Sequence, residues 1–195
     1  MPEAVAIALL IAAYVVGGIP FGLVLARRFA KVDVRAAGSG NIGATNVART
    51  AGKGLGILTL VLDALKGAAP VLIALWLSLG VQVTAAAGFL AIVGHVFSPY
   101  LRFKGGKGVA TSLGVFATFT PLPTLIAAGA FGLVFALSRR VSAGSIVAVV
   151  ALVAAVHSLD GRPEAFALAA AVAVIVLIRH RANLNRLLKG REPGV

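Results

Sequence analysis

Long apolar runs alternate with short polar stretches along the chain, and seven such runs can be drawn. They cover residues 4–26, 55–79, 83–101, 109–120, 122–137, 144–156 and 165–178. A bilayer crossing needs about 20 apolar residues, or about 17 at the low end. Runs four to seven are 12 to 16 residues long as drawn, so each must borrow flanking residues or sit partly re-entrant. The pattern predicts an all-α integral membrane protein with seven transmembrane helices, some of them short. No internal repeat or separate soluble segment breaks it, so residues 1–195 read as a single polytopic domain. The first run is too long for the apolar core of a signal peptide, and its short lead carries Glu3 rather than positive charge.

Turn residues agree with these divisions. Gly80, the pair Pro121 and Pro123, and Asp160-Gly161-Arg162-Pro163 give terse connections. The alternate connections are longer and more polar, and function is expected there. Charge decides which side they face. With seven crossings, Arg27, Arg28, Lys31, Arg35, Arg49, Lys53, Arg102, Lys104, Lys107, Arg139, Arg140, Arg179, Arg181, Arg186, Lys189 and Arg191 all fall on one side. The other side receives only Arg162 among the cations. An even number of crossings would scatter them. The positive-inside rule then puts the N-terminus outside and the C-terminus in the cytoplasm.

Composition strengthens the membrane reading. Hydrophobic residues make up 59% of the chain and charged residues 12%, with a net charge of +12, where a soluble domain carries about 25% charged residues. Mean hydropathy is +1.01. The basic excess belongs to membrane orientation, so nucleic acid is not an expected partner. With no cysteine, disulfides and thiolate chemistry are excluded.

Four polar stretches carry candidate chemistry. The first runs Gly38-Ser39-Gly40-Asn41-Ile42-Gly43-Ala44-Thr45-Asn46-Val47-Ala48-Arg49. Its glycines let successive N–H groups converge, and a following helix N-terminus would add positive potential. Ser39, Asn41, Thr45 and Asn46 can donate further hydrogen bonds, and Arg49 can clamp two anionic oxygens. The second contains Lys104-Gly105-Gly106-Lys107-Gly108 opening an apolar helix, the composition of an anion-binding nest. It is not a nucleotide P-loop, because Gly-x4-Gly-Lys-Ser/Thr is missing. In the third, Arg139-Arg140 leads to Ser142, which is expected to cap the sixth helix, with Ser145 close behind. The fourth follows the last run: His180 and Asn183 are three residues apart and are expected to share a helical face. A basic amphipathic tail lying on anionic lipid explains that stretch equally well.

Asp63 and Lys66 lie inside the second run, also three apart. Intramembrane charges usually pair and face the bundle interior, so these two are expected to form an ion pair and to support the site. His95 ends the third run and either sits hydrogen-bonded in the core or lines the site. No metal-binding signature, no carboxylate cluster and no Gly-x-Ser-x-Gly elbow occurs in the sequence. The His-x4-Asp pattern of many glycerolipid acyltransferases is missing too.

Taken together, these stretches resemble the bacterial acyl-phosphate:glycerol-3-phosphate acyltransferase family. The resemblance rests on Gly-Ser-Gly-Asn-Ile-Gly-Ala-Thr-Asn at 38–46, Gly-His-x-Phe-Ser-Pro at 94–99 and Phe-Lys-Gly-Gly-Lys-Gly-Val-Ala-Thr at 103–111. It continues with Arg-x-x-Ser at 139–142, Arg-His-Arg-x-Asn at 179–183, and Asp63 with Lys66-Gly67. It implies seven transmembrane helices in the bacterial inner membrane with a cytoplasmic active site, and neither cofactor nor metal. It also implies acyl transfer from acyl phosphate to the 1-hydroxyl of glycerol 3-phosphate, giving lysophosphatidic acid and phosphate. Ser39, Arg49, Lys104, His180 and Asn183 match the family's catalytic positions. Gly38, Gly40, Asn41, Thr45, Asn46, Gly105, Gly106, Lys107, Gly108, Ser142 and Ser145 match its phosphate-binding positions. Asp63, Lys66, His95 and Glu192 match structural supports. Arg140 stands where tyrosine is common, and Ala143-Gly144 replaces a bulkier pair. Acyl phosphate is already activated, so its leaving group needs charge stabilisation more than protonation. A substrate phosphate or His180 is expected to take the hydroxyl proton. A transporter for a phosphorylated solute is the competing class. It is disfavoured because nearly all polar devices lie on one side. A purely structural lipid-binding protein leaves the glycine loops unexplained.

Overall fold

The computed structural model describes residues 2–194, with the side chain of Pro2 outside the description. Ten α-helices account for most of them: α1 (Pro2–Gly17), α2 (Phe21–Leu25), α3 (Ala44–Ala51), α4 (Lys53–Trp76), α5 (Val81–Val96), α6 (Val109–Phe119), α7 (Pro121–Ser138), α8 (Val141–Leu159), α9 (Pro163–Arg179) and α10 (Arg181–Leu188). All seven apolar runs are largely helical, in order. α4, α7, α8 and the stretch Val81–Leu101 are each long and apolar enough to cross a bilayer. Two further candidates are bent pairs: residues 3–17 with 21–30, at 42°, and α9 with α10, at 61°. α6 has eleven residues, about 16 Å of helix against a hydrocarbon core of about 30 Å.

The boundaries depart from the sequence reading in physical ways. Runs five to seven borrow flanking residues, as expected, and reach 18, 19 and 17 residues. The first run is not one helix. Gly18-Ile19-Pro20 interrupts it, because proline cannot continue the hydrogen-bond ladder. The chain resumes as α2 and ends in a π-helical turn, Ala26–Ala30, closed by Lys31 at φ +58°. Ser142 is not a helix cap. Arg140 holds that position, and Ser142 lies inside the first turn of α8.

The chain forms two compact units, residues 1–115 and 116–195. In the first, small residues let backbones approach closely, as membrane helices require when lipid offers no hydrophobic drive. A methyl group at Gly17 would strike the Ala91 backbone, and one at Gly94 would strike that of Tyr14, so α1 and α5 touch main chain to main chain. α4 meets α6 in the same way, through Gly67 against the Thr111 carbonyl and Gly114 against the Ala64 carbonyl. Leu9, Ala13, Ala74 and Ala87 fill one core. Leu23, Ala26, Val34, Ile42 and Val47 fill another, under the loop before α3.

In the second unit α7 and α8 pack as a hairpin, with Gly144 against Phe131. α9 packs on α8, and its Ala165, Leu168, Ala169, Val172 and Val176 are buried. Arg162 fastens the end of α6. Its guanidinium donates to the Phe119 carbonyl at 2.8 Å, lies 4.5 Å above the Phe119 ring, and pairs with Asp160 at 2.6 Å.

These approaches can be tested by adding one methyl. Gly67→Ala is expected to destabilise the protein by about 1–3 kcal/mol through overpacking. Gly129→Ala, where nothing lies within 4 Å, is expected to be neutral or slightly stabilising. Thermal unfolding of both variants in detergent reads the difference. Equal behaviour would contradict the tight α4–α6 crossing.

Candidate functional site

Two clusters hold the candidate residues, one in each unit. In the first unit, the loop before α3 is organised by Asn46. Its side chain is buried at 2% exposure. Nδ2 reaches the carbonyls of Val34, Ala37 and Asn41 at 2.9, 3.0 and 2.8 Å. Oδ1 accepts the Ser39 N–H at 2.8 Å. Asn41 Oδ1 accepts the Gly43 N–H at 2.8 Å. Both asparagine side chains, expected to face an anion, thus have hydrogen bonds with the loop's own backbone. Gly38 and Gly40 take φ of +60° and +71°, a region open to glycine at little cost. The result exposes Ser39 and presents the N-terminus of α3, whose first N–H groups have no acceptor within the helix. Thr45 and Arg49 are four residues apart on α3 and so share a face, with Arg49 exposed.

Asp33 steadies the approach to this loop. It accepts two bonds from the Arg35 guanidinium, one from the Arg35 N–H and one from Arg27. The Arg35 hydrogen bonds, followed by that from Arg27, hold its carboxyl well below the usual carboxylate range. Sequence reading passed over this residue. Its signal was an acid flanked by arginines in an otherwise basic loop.

The second glycine loop is folded back on the end of α5. Gly105 and Gly106 donate their N–H groups to the carbonyls of Val96 and His95, at 3.0 and 3.1 Å. These two amides therefore fix the loop, whereas a nest would turn them toward a ligand. A methyl group at Gly106 would collide with the His95 ring. Upstream, Ser98 anchors the turn: its hydroxyl donates to the Gly18 carbonyl at 2.6 Å, and its own carbonyl accepts from Leu101 and Phe103. Arg102 and Phe103 are both left-handed, at φ +51° and +62°, a costly conformation for non-glycine residues. Lys104 is exposed at the tip. Gly108, at φ +88°, opens α6 and accepts the Ser112 N–H at 2.7 Å. The first N–H groups of α6 are left without helical acceptors beside Lys104 and Lys107. Behind the loop, Asp63 and Lys66 form the expected buried ion pair at 2.7 Å.

In the second unit the centre is Glu192. It accepts from Ser142 Oγ at 2.7 Å, Asn183 Nδ2 at 2.6 Å and Arg186 Nε at 2.7 Å. The chain reaches back because Gly190, at φ +64°, ends α10 with paired bonds from Gly190 N to Leu187 O and from Arg191 N to Arg186 O. This is the Schellman arrangement. His180 does not share a helical face with Asn183 in the simple sense expected. It stands at the break between α9 and α10, buried, with Nδ1 2.8 Å from the Val176 carbonyl. A carbonyl only accepts, so Nδ1 carries the proton in a neutral ring and Nε2 carries the lone pair. Ser145 donates to Val141 O within its own helix.

Comparison with known proteins bears on both clusters. Residues 7–190 match the family model described as glycerol-3-phosphate acyltransferase. The chain belongs to the glycerol-3-phosphate acyltransferase family. A glycerol-3-phosphate acyltransferase of Syntrophotalea carbinolica is 50% identical over 185 residues, 94% of either chain. Another, from Geobacter sulfurreducens, is 49% identical over 180 residues, 92% of either chain. The crystal structure of PlsY (YgiH), an integral membrane glycerol 3-phosphate acyltransferase, in its glycerol 3-phosphate form matches with a TM-score of 0.93. Identity is 40%, over 97% of this chain and 95% of that one. The lysophosphatidic acid form gives 0.90 at 39%, over 97% and 94%. As a member of this family the protein is an acyltransferase and an integral membrane protein, and its place is in phospholipid biosynthesis.

In this acyltransferase the Glu192 cluster makes stability depend on acid. Burial pushes the Glu192 carboxyl up, but the hydrogen bonds from Asn183, Ser142 and Arg186 outweigh it and hold the group below its ordinary value of 4.5. Its contribution is therefore complete above that ordinary value and is lost as pH falls through the lowered native one. Glu192→Gln is expected to cost about 1–3 kcal/mol at neutral pH. It should also flatten the decline in melting temperature below about pH 4.5. An unchanged acid limb in the variant would contradict the assignment.

Proposed function

We propose that the protein transfers a fatty acyl group from acyl phosphate to the 1-hydroxyl of glycerol 3-phosphate, yielding lysophosphatidic acid and inorganic phosphate. The observation that carries this reading is the pair of glycine loops, each leading into a helix N-terminus, with exposed Lys104 at the tip of one and exposed Arg49 in the last turn of the helix that follows the other. Two such positive termini suit two phosphate-bearing substrates. The glycerol 3-phosphate and lysophosphatidic acid forms of the related PlsY are consistent with that substrate and product.

The chemistry follows from the donors. The glycerol hydroxyl attacks the acyl carbonyl, the carbon–oxygen bond to phosphate breaks, and the phosphate takes up the hydroxyl proton as it departs, leaving as the hydrogen phosphate dianion. Lys104, Lys107, Arg49 and backbone N–H groups stabilise the departing charge. Placing the hydroxyl beside the carbonyl supplies much of the remaining acceleration. A substrate phosphate is the proton acceptor, and no metal or cofactor is invoked. Ser39, Thr45 and the first amides of α3 and α6 bind phosphate oxygens, and Gly38, Gly40 and the 105–108 loop shape the backbone that presents them. His180 and Asn183 orient substrate, and the Glu192 network holds Asn183 in place. The site opens to the cytoplasm of a bacterial inner membrane, with seven crossings and the N-terminus outside. The one-sided cations of the sequence support that orientation.

Purified protein in lipid, given palmitoyl phosphate or palmitoyl-CoA with glycerol 3-phosphate, tests the donor. Phosphate release is expected only with palmitoyl phosphate and only when glycerol 3-phosphate is present. Lys104→Ala should lower kcat/KM by about 100-fold or more, while His180→Gln should leave turnover within about tenfold of wild type. A loss of several orders of magnitude at His180, with glycerol 3-phosphate binding intact, would make His180 the base and overturn substrate assistance.

A further inference from the structure

We propose that Asp63 is a positioning residue for the glycine loop at 104–108, acting on it through the imidazole of His95, with Lys66 holding Asp63 in register. The inference rests on the reading of that loop as a phosphate site.

Asp63 and Lys66 are 2% and 4% exposed, inside a 24-residue apolar helix. Stability alone is a weak reason for the pair. A buried ion pair is often no better than apolar side chains of similar volume, and charges at this depth generally serve function. Their contacts lead in two directions. Lys66 Nζ donates to the Ile19 carbonyl at 2.7 Å and lies 5.5 Å from the centre of the Phe21 ring. Ile19 sits in the break between α1 and α2, where regular helical bonding stops. Lys66 is thus pinned to a fixed point of the fold, and the 2.7 Å ion pair pins Asp63 in turn.

In the other direction, Asp63 Oδ1 faces His95 Nδ1 at 3.8 Å. That is beyond a direct hydrogen bond, but a carboxylate so close in a low-dielectric interior still orients the ring dipole strongly. The far side of the ring packs on the loop, because Nε2 is the atom that a methyl group at Gly106 would strike. His95 also holds Gly106 through its main-chain carbonyl, and Val96 does the same for Gly105. One residue therefore grips the loop with side chain and backbone together. Turning Nδ1 toward Asp63 presents Nε2 to Gly106. Removing the charge removes the force that turns Nδ1 toward Asp63 and weakens the fixed backing of the loop. The displaced parts would be Lys104, Lys107 and the N-terminus of α6, which are the groups assigned to phosphate.

Full-length protein in nanodiscs, with palmitoyl phosphate saturating and glycerol 3-phosphate varied, tests the inference. Asp63→Asn is expected to raise the KM for glycerol 3-phosphate by about tenfold or more, with kcat changed much less. His95→Gln should do the same, and the double variant should be no worse than either single one. If an unpaired Lys66 prevents Asp63→Asn from folding, His95→Gln, which leaves the Asp63–Lys66 pair and the Lys66–Ile19 bond in place, carries the test and should show the rise in KM with a near-normal melting temperature. Asp63→Glu should recover part of the lost affinity. Wild-type constants in Asp63→Asn, independent additive losses in the double variant, or kcat falling in step with the folded fraction would each overturn the proposal. A wild-type protein that fails to acylate glycerol 3-phosphate would overturn the functional reading beneath it. An active wild type with an indifferent Asp63→Asn overturns the inference alone.

Discussion

A carbonyl stripped of its donor inside hydrocarbon costs several kcal/mol, so a membrane chain can leave regular helix only where protein groups take over the bonding. This chain leaves it repeatedly, and several of the departures are tied by a polar side chain. Lys66 and Ser98 bind the carbonyls of Ile19 and Gly18 at the break in the first span. Tyr14 binds that of Phe97 where α5 ends. Arg162 binds that of Phe119 at the end of the short α6. Asn46 takes up three more in the loop before α3. These side chains let apolar helices end where polar chemistry can begin.

The same bookkeeping separates residues that shape the site from residues that can meet a ligand. Gly105, Gly106, Asn41 and Asn46 have their donors directed to the protein's own backbone. The presentable groups are helix N-termini and exposed side chains, namely Ser39 and Lys104 on the loops and Arg49 on α3. Glu192 follows the same logic in the second unit. It is acidic, yet it serves as an acceptor that collects Ser142, Asn183 and Arg186 around one carboxylate.

Much of this was legible in the sequence, because bilayer thickness sets run length. The helical class, the order of the seven runs, the short fourth run and the family all followed. So did the Asp63–Lys66 pair, read from a three-residue spacing. What stayed hidden depends on contacts between residues far apart in the chain. The break at Gly18-Ile19-Pro20 lies inside an unbroken apolar run, and only its proline hinted at it. Ser142 looked like a cap because serine before an apolar run usually is one. Its actual partner is Glu192, fifty residues on. Asn46 looked like a ligand because loop asparagines often are, but its burial was invisible without the fold.

Hydrogen–deuterium exchange in lipid nanodiscs, with and without saturating glycerol 3-phosphate, reaches the central claim most directly. If the helix termini behind the two glycine loops hold the substrate phosphates, the amides at 44–45 or 109–111 should exchange more slowly with ligand, while α7 stays unchanged. Slowing spread evenly over the helices, or none at either terminus despite measured binding, would contradict the account.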